Sequence, residues 1–144
     1  MRKLRKEELD FLLRSSIARV ATCTRSSIPH VSPIYFATDG HSVFFATDET
    51  TRKFKDVKEN DRVSLVVDEF DADWLHGNKT SSKTYEKAII LSGRATIFSS
   101  GDLYVSMYRN LVRKYPDYRA GNRWELGELP IIRIEISKIT SWGI

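Results

Sequence analysis

Residues 17–47 of the chain, IARVATCTRSSIPHVSPIYFATDGHSVFFAT, decide its fold class. Residues 17–24 are rich in β-branched and small side chains, which favour a β-strand. A polar turn separates them from a second predicted strand at residues 30–38. The Asp-Gly dipeptide at 39–40 is a strong hairpin signal, after which residues 42–47 return as a third strand. Consecutive strands joined by short turns indicate an antiparallel sheet.

Side chains of the second strand alternate between two faces. Val31, Pro33 and Tyr35 lie on one face, and the residues between them lie on the other. Proline has no N–H group to donate to a sheet ladder. Pro33 therefore predicts that this strand lies at an edge, at a bulge or at a gap that faces a ligand.

The rest of the chain adds three strands and three helices. We predict helices at residues 6–14 and 52–60 and a third that is capped by residues 99–102 and ends near 115, strands at 62–68, 85–98 and 131–142, and loops at 69–83 and 117–129. Gly93 interrupts the long fifth strand and indicates a bulge or sharp bend. The pattern predicts a mainly β fold, a six-stranded antiparallel barrel with peripheral helices, as one domain over residues 1–144.

Some of these predictions include burial. We expect Leu9, Leu12 and Leu13 to form the buried side of the first helix, and Leu103 to belong to the apolar stripe of the last. Residues 62–68 are almost continuously apolar, which predicts a strand that is buried on both faces.

Composition restricts the class of protein. Of the 144 residues, 41% are hydrophobic and 29% are charged, which is typical of a globular fold and not of a disordered chain. No run approaches the roughly 18 apolar residues that a membrane helix needs. Acidic residues follow the basic N-terminus where a signal peptide has its apolar core, so we expect none. The single cysteine, Cys23, allows no internal disulfide, and a cytoplasmic location is predicted.

Charge gives a weaker signal. The chain has 23 Lys and Arg against 19 Asp and Glu, a net charge of +4 and a pI near 9.2. The basic residues are dispersed and partly interleaved with acids, which is typical of solvated surfaces. Nucleic-acid binding is therefore a minor alternative, with no zinc-finger spacing or basic heptad helix to support it. The spacing of His and Cys residues predicts no metal site.

A candidate anion site lies at the start of the second predicted helix. Thr50 or Thr51 can donate a hydroxyl hydrogen bond, and Arg52 and Lys53 add a guanidinium and an ammonium. Free backbone N–H groups and the positive end of the helix dipole favour an anion at the same place. Taken alone, the pattern fits any capped basic helix equally well.

Three segments in fixed order resemble a known family. They are RVATCTRSSIPHVSPIYFATDG at 19–40, VFFATDETTRK at 43–53 and VKENDRVSLVVD at 57–68. Together they resemble the pyridoxamine 5′-phosphate oxidase-like family of FMN-binding split β-barrels. The strand RATIF at 94–98 and the closing strand RIEISKITSW at 133–142 match that family in order and type.

The resemblance implies an FMN site at the interface of a homodimer, built from both chains. The 30–35 strand would lie along the isoalloxazine ring and the ribityl chain, and the helix start would bind the phosphate. By position, the implied cofactor-binding residues are His30, Val31, Ser32, Pro33, Ile34, Ala46, Thr47, Thr51, Arg52 and Lys53. Trp124, in a loop with basic neighbours, is the best aromatic candidate to cover the site across the dimer.

The same resemblance implies a flavin-dependent oxidoreductase that acts on an unidentified small molecule, with no catalytic side chain assigned. The alternative is a non-catalytic module that carries or senses a flavin, a deazaflavin coenzyme or haem, with His30 or His76 as an axial ligand. Pyridoxamine-phosphate oxidases carry an arginine-rich strand where this chain has HVSP at 30–33, and their Arg-x-His segment has no counterpart at 141–144. These departures argue against pyridoxine phosphate as the substrate.

Overall fold

The computed structural model describes residues 2–77, 86–116 and 124–144. The strands are β1 (Ile17–Cys23), β2 (Pro29–Tyr35), β3 (Ala37–Thr38), β4 (Ser42–Ala46), β5 (Arg62–Phe70), β6 (Glu86–Phe98) and β7 (Ile131–Trp142). The helices are α1 (Lys6–Arg14), α2 (Arg52–Glu59), α3 (Ala72–Leu75) and α4 (Asp102–Lys114). The strands form one antiparallel sheet in the order β2-β1-β5-β6-β7-β4-β3, which curls into a half-barrel.

The predicted antiparallel barrel with peripheral helices is confirmed, but the predicted count of six strands is wrong. The predicted second strand is divided at Phe36 into β2 and β3, which pair with different neighbours. These two strands are the opposite edges of the sheet, so the chain itself joins the edges of the curled sheet at this residue. Phe36 is fully buried. Burial of its side chain in the barrel interior accounts for the break.

The two predicted loops are only partly described. Residues 72–75 of the first form the short helix α3, with Asp71 as its cap. Residues 78–83 of that loop and residues 117–123 of the second lie outside the described residues.

Pro33 lies on an edge strand, which was one of the three positions predicted for it. It pairs with Arg19 of β1, and no strand among the described residues lies on the other side of β2. Strand β5 differs from its prediction, because its buried residues alternate with half-buried or exposed ones. In an antiparallel sheet only one face packs on the core, so Val63, Leu65 and Val67 are buried while Ser64 and Val66 are not.

A β-bulge at Gly93 confirms the predicted irregularity in β6. The pairing of β6 with β7 shifts by one residue between Ser92 and Gly93. A Cβ at position 93 would overlap the backbone carbonyl of Glu135 on β7. The absence of a side chain therefore lets the two longest strands of the sheet approach each other closely and bend.

Buried side chains fill the interior of the half-barrel. Apolar residues from six strands pack there with the buried sides of α1 and α2. On α1, Leu12 is buried as predicted, but Leu13 is 53% exposed and Phe11 takes the inner position. On α4, Met107 and Leu111 of the apolar stripe are buried, but Leu103 is exposed and Tyr104 is buried in its place. Because side chains fill this core, a cofactor has to bind outside it.

Among the described residues, no helix is both long enough and apolar enough to cross a membrane.

Lys114 predicts how stability depends on pH. Its ammonium donates to Leu12 O at 3.2 Å and lies 3.9 Å from the centre of the Phe36 ring, and burial lowers its pKa to about 8. Between pH 8 and the ordinary lysine value near 10.5, the unfolded chain holds a proton that the folded chain has lost. The free energy of unfolding is therefore expected to rise with pH across this interval.

Urea unfolding of the wild type and Lys114→Met at several pH values checks this. The wild type is expected to gain stability relative to the variant from pH 8 to pH 10. Lys138→Met, which removes an exposed ammonium, serves as the matched control and is expected to follow the wild type. Parallel profiles for the wild type and Lys114→Met would contradict the prediction.

Candidate functional site

The candidate site is built on the start of α2. Thr51 is the N-cap, and its hydroxyl accepts a hydrogen bond from the backbone N–H of Phe54 at 3.4 Å. Phe54 and Val57 are buried, which fixes the helix on the sheet, and Asn60 ends it. The predicted helix and both of its predicted caps are therefore present, with the first turn of α2 free of acidic residues.

The end of β4 meets the first turn of α2. Thr47 is 5% exposed, and its hydroxyl lies 2.9 Å from the hydroxyl of Thr51. Lys53, in the first turn of the same helix, is half-buried, and burial lowers the pKa of its ammonium. No described residue makes a hydrogen bond or ion pair with Lys53. A desolvated ammonium without a partner favours an added anion, because the anion restores the lost stabilisation of its charge.

A chain of contacts connects α2 to β1 and β2. The Nε of Arg52 donates to Asp56 Oδ1 at 3.1 Å, and Asp56 Oδ2 accepts from Thr22 Oγ1 at 2.8 Å. Thr22 on β1 is in turn the cross-strand partner of His30 on β2. The fold thus brings together the two segments that the sequence predicts to bind one cofactor.

Strand β2 presents its predicted residues on two faces. Val31 is 65% exposed on the outer face, whereas Ile34 is buried on the inner one. Ser32 lies on the inner face as well, opposite Val20 of β1. Its hydroxyl oxygen is buried and has no hydrogen-bond partner among the described residues. Such an orphaned group costs about 1–3 kcal/mol, so Ser32 fits a site where a ligand supplies the missing partner.

The free edge of β2 offers backbone groups in addition. Because β1 pairs with only one side of β2, the N–H and C=O groups on the other side have no strand to bond to in the described part of the chain. Strand β4 lies near this edge without pairing with it. The gap between β2 and β4 is where the curled sheet remains open.

A small cavity lies where β2 and β4 end. It is lined by Tyr35 at the end of β2, Ala46 at the end of β4, Leu111 of α4 and Trp124. Trp124 is 5% exposed, and its ring packs edge to face against Tyr108 at 4.7 Å between centroids. Its indole therefore packs within its own chain, beside Ala46, and its predicted role across a dimer is untested.

The hydroxyl of Tyr115 bonds to backbone groups just after β2 and just before β1, and these bonds give a testable prediction. Its hydroxyl accepts from the N–H of Phe36 at 3.0 Å and lies 2.6 Å and 2.8 Å from the carbonyl oxygens of Phe36 and Ser16, which accept from it. Tyr115→Phe leaves the part-buried backbone groups of Phe36 without that partner and is expected to cost about 1–3 kcal/mol of the free energy of unfolding. Urea unfolding of the wild type and the variant measures this loss, and an unchanged unfolding midpoint would contradict the prediction.

Another groove of about 520 Å³ lies on the outer face of the sheet. The small residues Ala21, Ser64 and Ser92 are among those that line it, and Arg62 and Arg94 contribute guanidinium groups. None of the predicted cofactor-binding residues lines this groove. Within the described part of the chain, no group of three or more His, Cys, Asp or Glu side chains is placed to hold a metal ion.

Sequence reasoning missed two residues of the site, Thr22 and Asp56. The spacing of four residues between Arg52 and Asp56 is the ordinary spacing of a helical ion pair and would have pointed to Asp56. Nothing local indicates Thr22, because its contact with Asp56 joins residues 34 positions apart.

Comparison with known proteins agrees with this architecture. The sequence matches the family model for pyridoxamine 5′-phosphate oxidase over residues 4–143. A search of curated protein sequences finds no significant match.

Several solved structures share the fold at low sequence identity. HutZ, the haem storage protein from Vibrio cholerae, has a TM-score of 0.73 at 15% identity, covering 96% of this chain and 94% of that chain. A haem-binding protein from Mycobacterium smegmatis has a TM-score of 0.73 at 11% identity, and the match covers 100% of this chain and 57% of that chain. A candidate pyridoxamine 5′-phosphate oxidase from Lactobacillus delbrueckii has a TM-score of 0.62 at 14% identity, covering 96% and 93%.

At these identities the structural likenesses show the fold alone. The family model, in contrast, matches nearly the whole length of the sequence, from two residues before α1 to the residue after β7. This chain belongs to the pyridoxamine 5′-phosphate oxidase family.

Proposed function

We propose that the chain binds FMN in the gap between β2 and β4 and acts as an FMN-dependent oxidoreductase on a small molecule. The observation that carries the proposal is the half-buried ammonium of Lys53 in the first turn of α2, for which no described residue is a partner. The start of the same helix carries the Thr51 hydroxyl, which lies 2.9 Å from that of Thr47, and the guanidinium of Arg52. A phosphate with two negative charges suits this set of donors.

The remaining predicted residues would hold the rest of the cofactor. The free backbone edge of β2, chiefly at residues 31–34, would bond to the polar edge of the isoalloxazine ring. The buried hydroxyl of Ser32 lacks a partner among the described residues, which supports a polar group of the ligand beside it. His30 and Ile34 share the inner face of β2 with Ser32, and Ala46 and Thr47 would border the ribityl chain.

In this proposal the bound flavin supplies hydride and electron transfer, and the chain supplies binding and orientation. Lys53 and Arg52 hold the phosphate, so that the cofactor is anchored at one end. The edge of β2 would fix the ring, and Tyr35 and Trp124 line the small cavity beside Ala46.

We further propose that a second copy of the chain covers the outer face of the sheet next to this site. Val31, Tyr35, Ile90 and Trp142 are exposed there by 37–65%. Ile90 and Trp142 lie on the neighbouring strands β6 and β7. Val31 and Tyr35 lie on β2, the strand that would bind the cofactor, and β1 and β5 separate it from β6. An apolar face of this kind is typical of a protein interface.

Sedimentation of the wild type and an Ile90→Asp variant tests the homodimer. We expect a dimer for the wild type and a monomer for the variant, because a carboxylate cannot be buried in an apolar contact. Lys6→Asp, an exposed change on α1, is the matched control and is expected to remain dimeric. A wild-type monomer at micromolar concentration would refute the proposal.

Absorbance and mass of the molecule that co-purifies with the chain test the cofactor. FMN bands, together with reduction of the bound flavin by NADH or NADPH under anaerobic conditions, are expected for an oxidoreductase. Protein that is colourless and gains no flavin absorbance when FMN is added would overturn the proposal.

A haem- or flavin-carrying module is the second candidate function. Two of the structural neighbours, HutZ and the Mycobacterium smegmatis protein, are haem proteins by name. His30 is the described histidine nearest to the proposed site, since it pairs with Thr22. A Soret band that disappears in His30→Ala would favour haem. Bound FMN that is reduced by neither NADH nor NADPH would favour a flavin carrier.

A further inference from the structure

Asp56 is an acidic side chain that is buried next to the proposed phosphate site. It lies one helical turn after Arg52 on α2 and is 2% exposed. Its two carboxylate oxygens accept from Arg52 Nε at 3.1 Å and from Thr22 Oγ1 at 2.8 Å. Both oxygens are therefore bonded, as a buried carboxylate requires.

The contact with Asp56 fixes the direction of the Arg52 guanidinium. The group is planar, so a bond through Nε orients the plane and leaves both Nη atoms on the opposite edge. The Arg52 side chain remains 45% exposed, and no described residue accepts a hydrogen bond from its Nη atoms. A guanidinium edge of this kind binds phosphate oxygens in pairs.

Charge alone would give Asp56 the opposite role. A carboxylate close to a phosphate repels it and cancels one of the two positive charges that Arg52 and Lys53 supply. Replacing Asp56 with a neutral residue would then strengthen the binding of an anion. A positioning role predicts that the same replacement weakens binding, so the sign of the effect separates the two explanations.

We infer that Asp56, itself held by Thr22, is a positioning residue that directs Arg52 at the phosphate of a phosphate-monoester ligand. It thereby sets the preference of the site for the phosphorylated over the unphosphorylated form of that ligand. The inference rests on the proposed function for the identity of the ligand as FMN, but the contact itself is independent of it.

Titration with FMN and with riboflavin tests the inference. In Asp56→Asn, FMN affinity is expected to fall about tenfold or more, the range for a charge-assisted hydrogen bond, whereas riboflavin affinity changes less than about twofold. In an Arg52→Ala background, the same substitution is expected to change FMN affinity little, because the group that it positions is gone. Unchanged or higher FMN affinity in Asp56→Asn would overturn the inference, and so would an equal loss for riboflavin.

Thr22→Val provides a variant that keeps the charge and removes the hydroxyl that holds Asp56. It is expected to lower FMN affinity as Asp56→Asn does, but by a smaller factor. If Asp56→Asn does not fold, Thr22→Val decides the question. Wild-type FMN affinity in Thr22→Val would then refute the positioning role of Asp56.

The NMR signal of the Arg52 Nε–H group separates this inference from the proposed function. In the wild type the signal is expected to be resolved and to exchange slowly with water, and in Asp56→Asn it is expected to move to the position of free arginine. Inorganic phosphate, titrated against this signal, is the second probe. If the wild type binds phosphate but not FMN, the proposed function fails. If Asp56→Asn binds phosphate as tightly as the wild type, the inference fails.

Discussion

Replacing Arg52 and Lys53 together with alanine is expected to weaken FMN binding by roughly 10² to 10⁴-fold. Each cation would make a charge-assisted hydrogen bond with the phosphate, worth about 1.5–3 kcal/mol. Lys53 contributes more than its charge, because burial has already removed part of its hydration and the described residues give it no partner. Calorimetric titration with FMN measures the loss, and riboflavin, which has no phosphate, is expected to bind both proteins equally.

A matched control removes the same charge from the same helix. Lys55 and Lys58 are exposed on α2, so Lys55→Ala with Lys58→Ala lowers the net charge by two without touching the first turn. We expect FMN affinity within about threefold of the wild type for this control at physiological salt, because exposed charges are screened. Near-wild-type FMN affinity in the Arg52 and Lys53 variant would remove the proposed phosphate site.

The second large effect is expected at Gly93. A methyl group there overlaps the carbonyl of Glu135 and crowds Ile134 at 3.3 Å, and the contact is between two central strands. Neither backbone can move without disturbing the ladder between β6 and β7. Gly93→Ala is therefore expected to lower the free energy of unfolding by about 3 kcal/mol or more, at the upper end for overpacked sites.

Gly77→Ala is the matched control for Gly93→Ala. It makes the same chemical change at a glycine with open space around it, where the cost is limited to a positive φ of 74°. This strain is worth about 1–2 kcal/mol. Thermal or urea unfolding compares the two variants, and a smaller loss for Gly93→Ala than for Gly77→Ala would show that the bulge can absorb a side chain.

The sequence predicted local features where a few neighbouring residues carry the physical cause. Gly40, with φ of 90°, makes the hairpin between β3 and β4 that the Asp-Gly dipeptide indicates. Thr51 and Asn60 bound α2 because each supplies a cap that the helix itself lacks. The bulge at Gly93 was likewise visible as a glycine within an apolar strand.

Burial was harder to predict than the elements themselves. The periodicity of α1 and α4 fits more than one choice of buried face, and Leu13 and Leu103 were placed on the wrong side by one residue. The sheet decides which face is covered, since Phe11 and Tyr104 are the side chains that reach it. The apolar run in β5 wrongly predicted burial on both faces for a related reason. Only the pairing of β5 with β1 and β6 shows which face is inside.

The sequence by itself determined the strand order along the chain, the caps of α2, the family and the cationic pair Arg52-Lys53. The caps and the cationic pair depend on residues close together in the chain, and the family was indicated by several motifs in a fixed order along it. Only the tertiary structure decided that Phe36 joins the two edges of the sheet and that Ser32 is left without a described partner. It also placed Thr22 and Asp56 behind Arg52, because a contact between residues 34 positions apart depends on how α2 packs on β1.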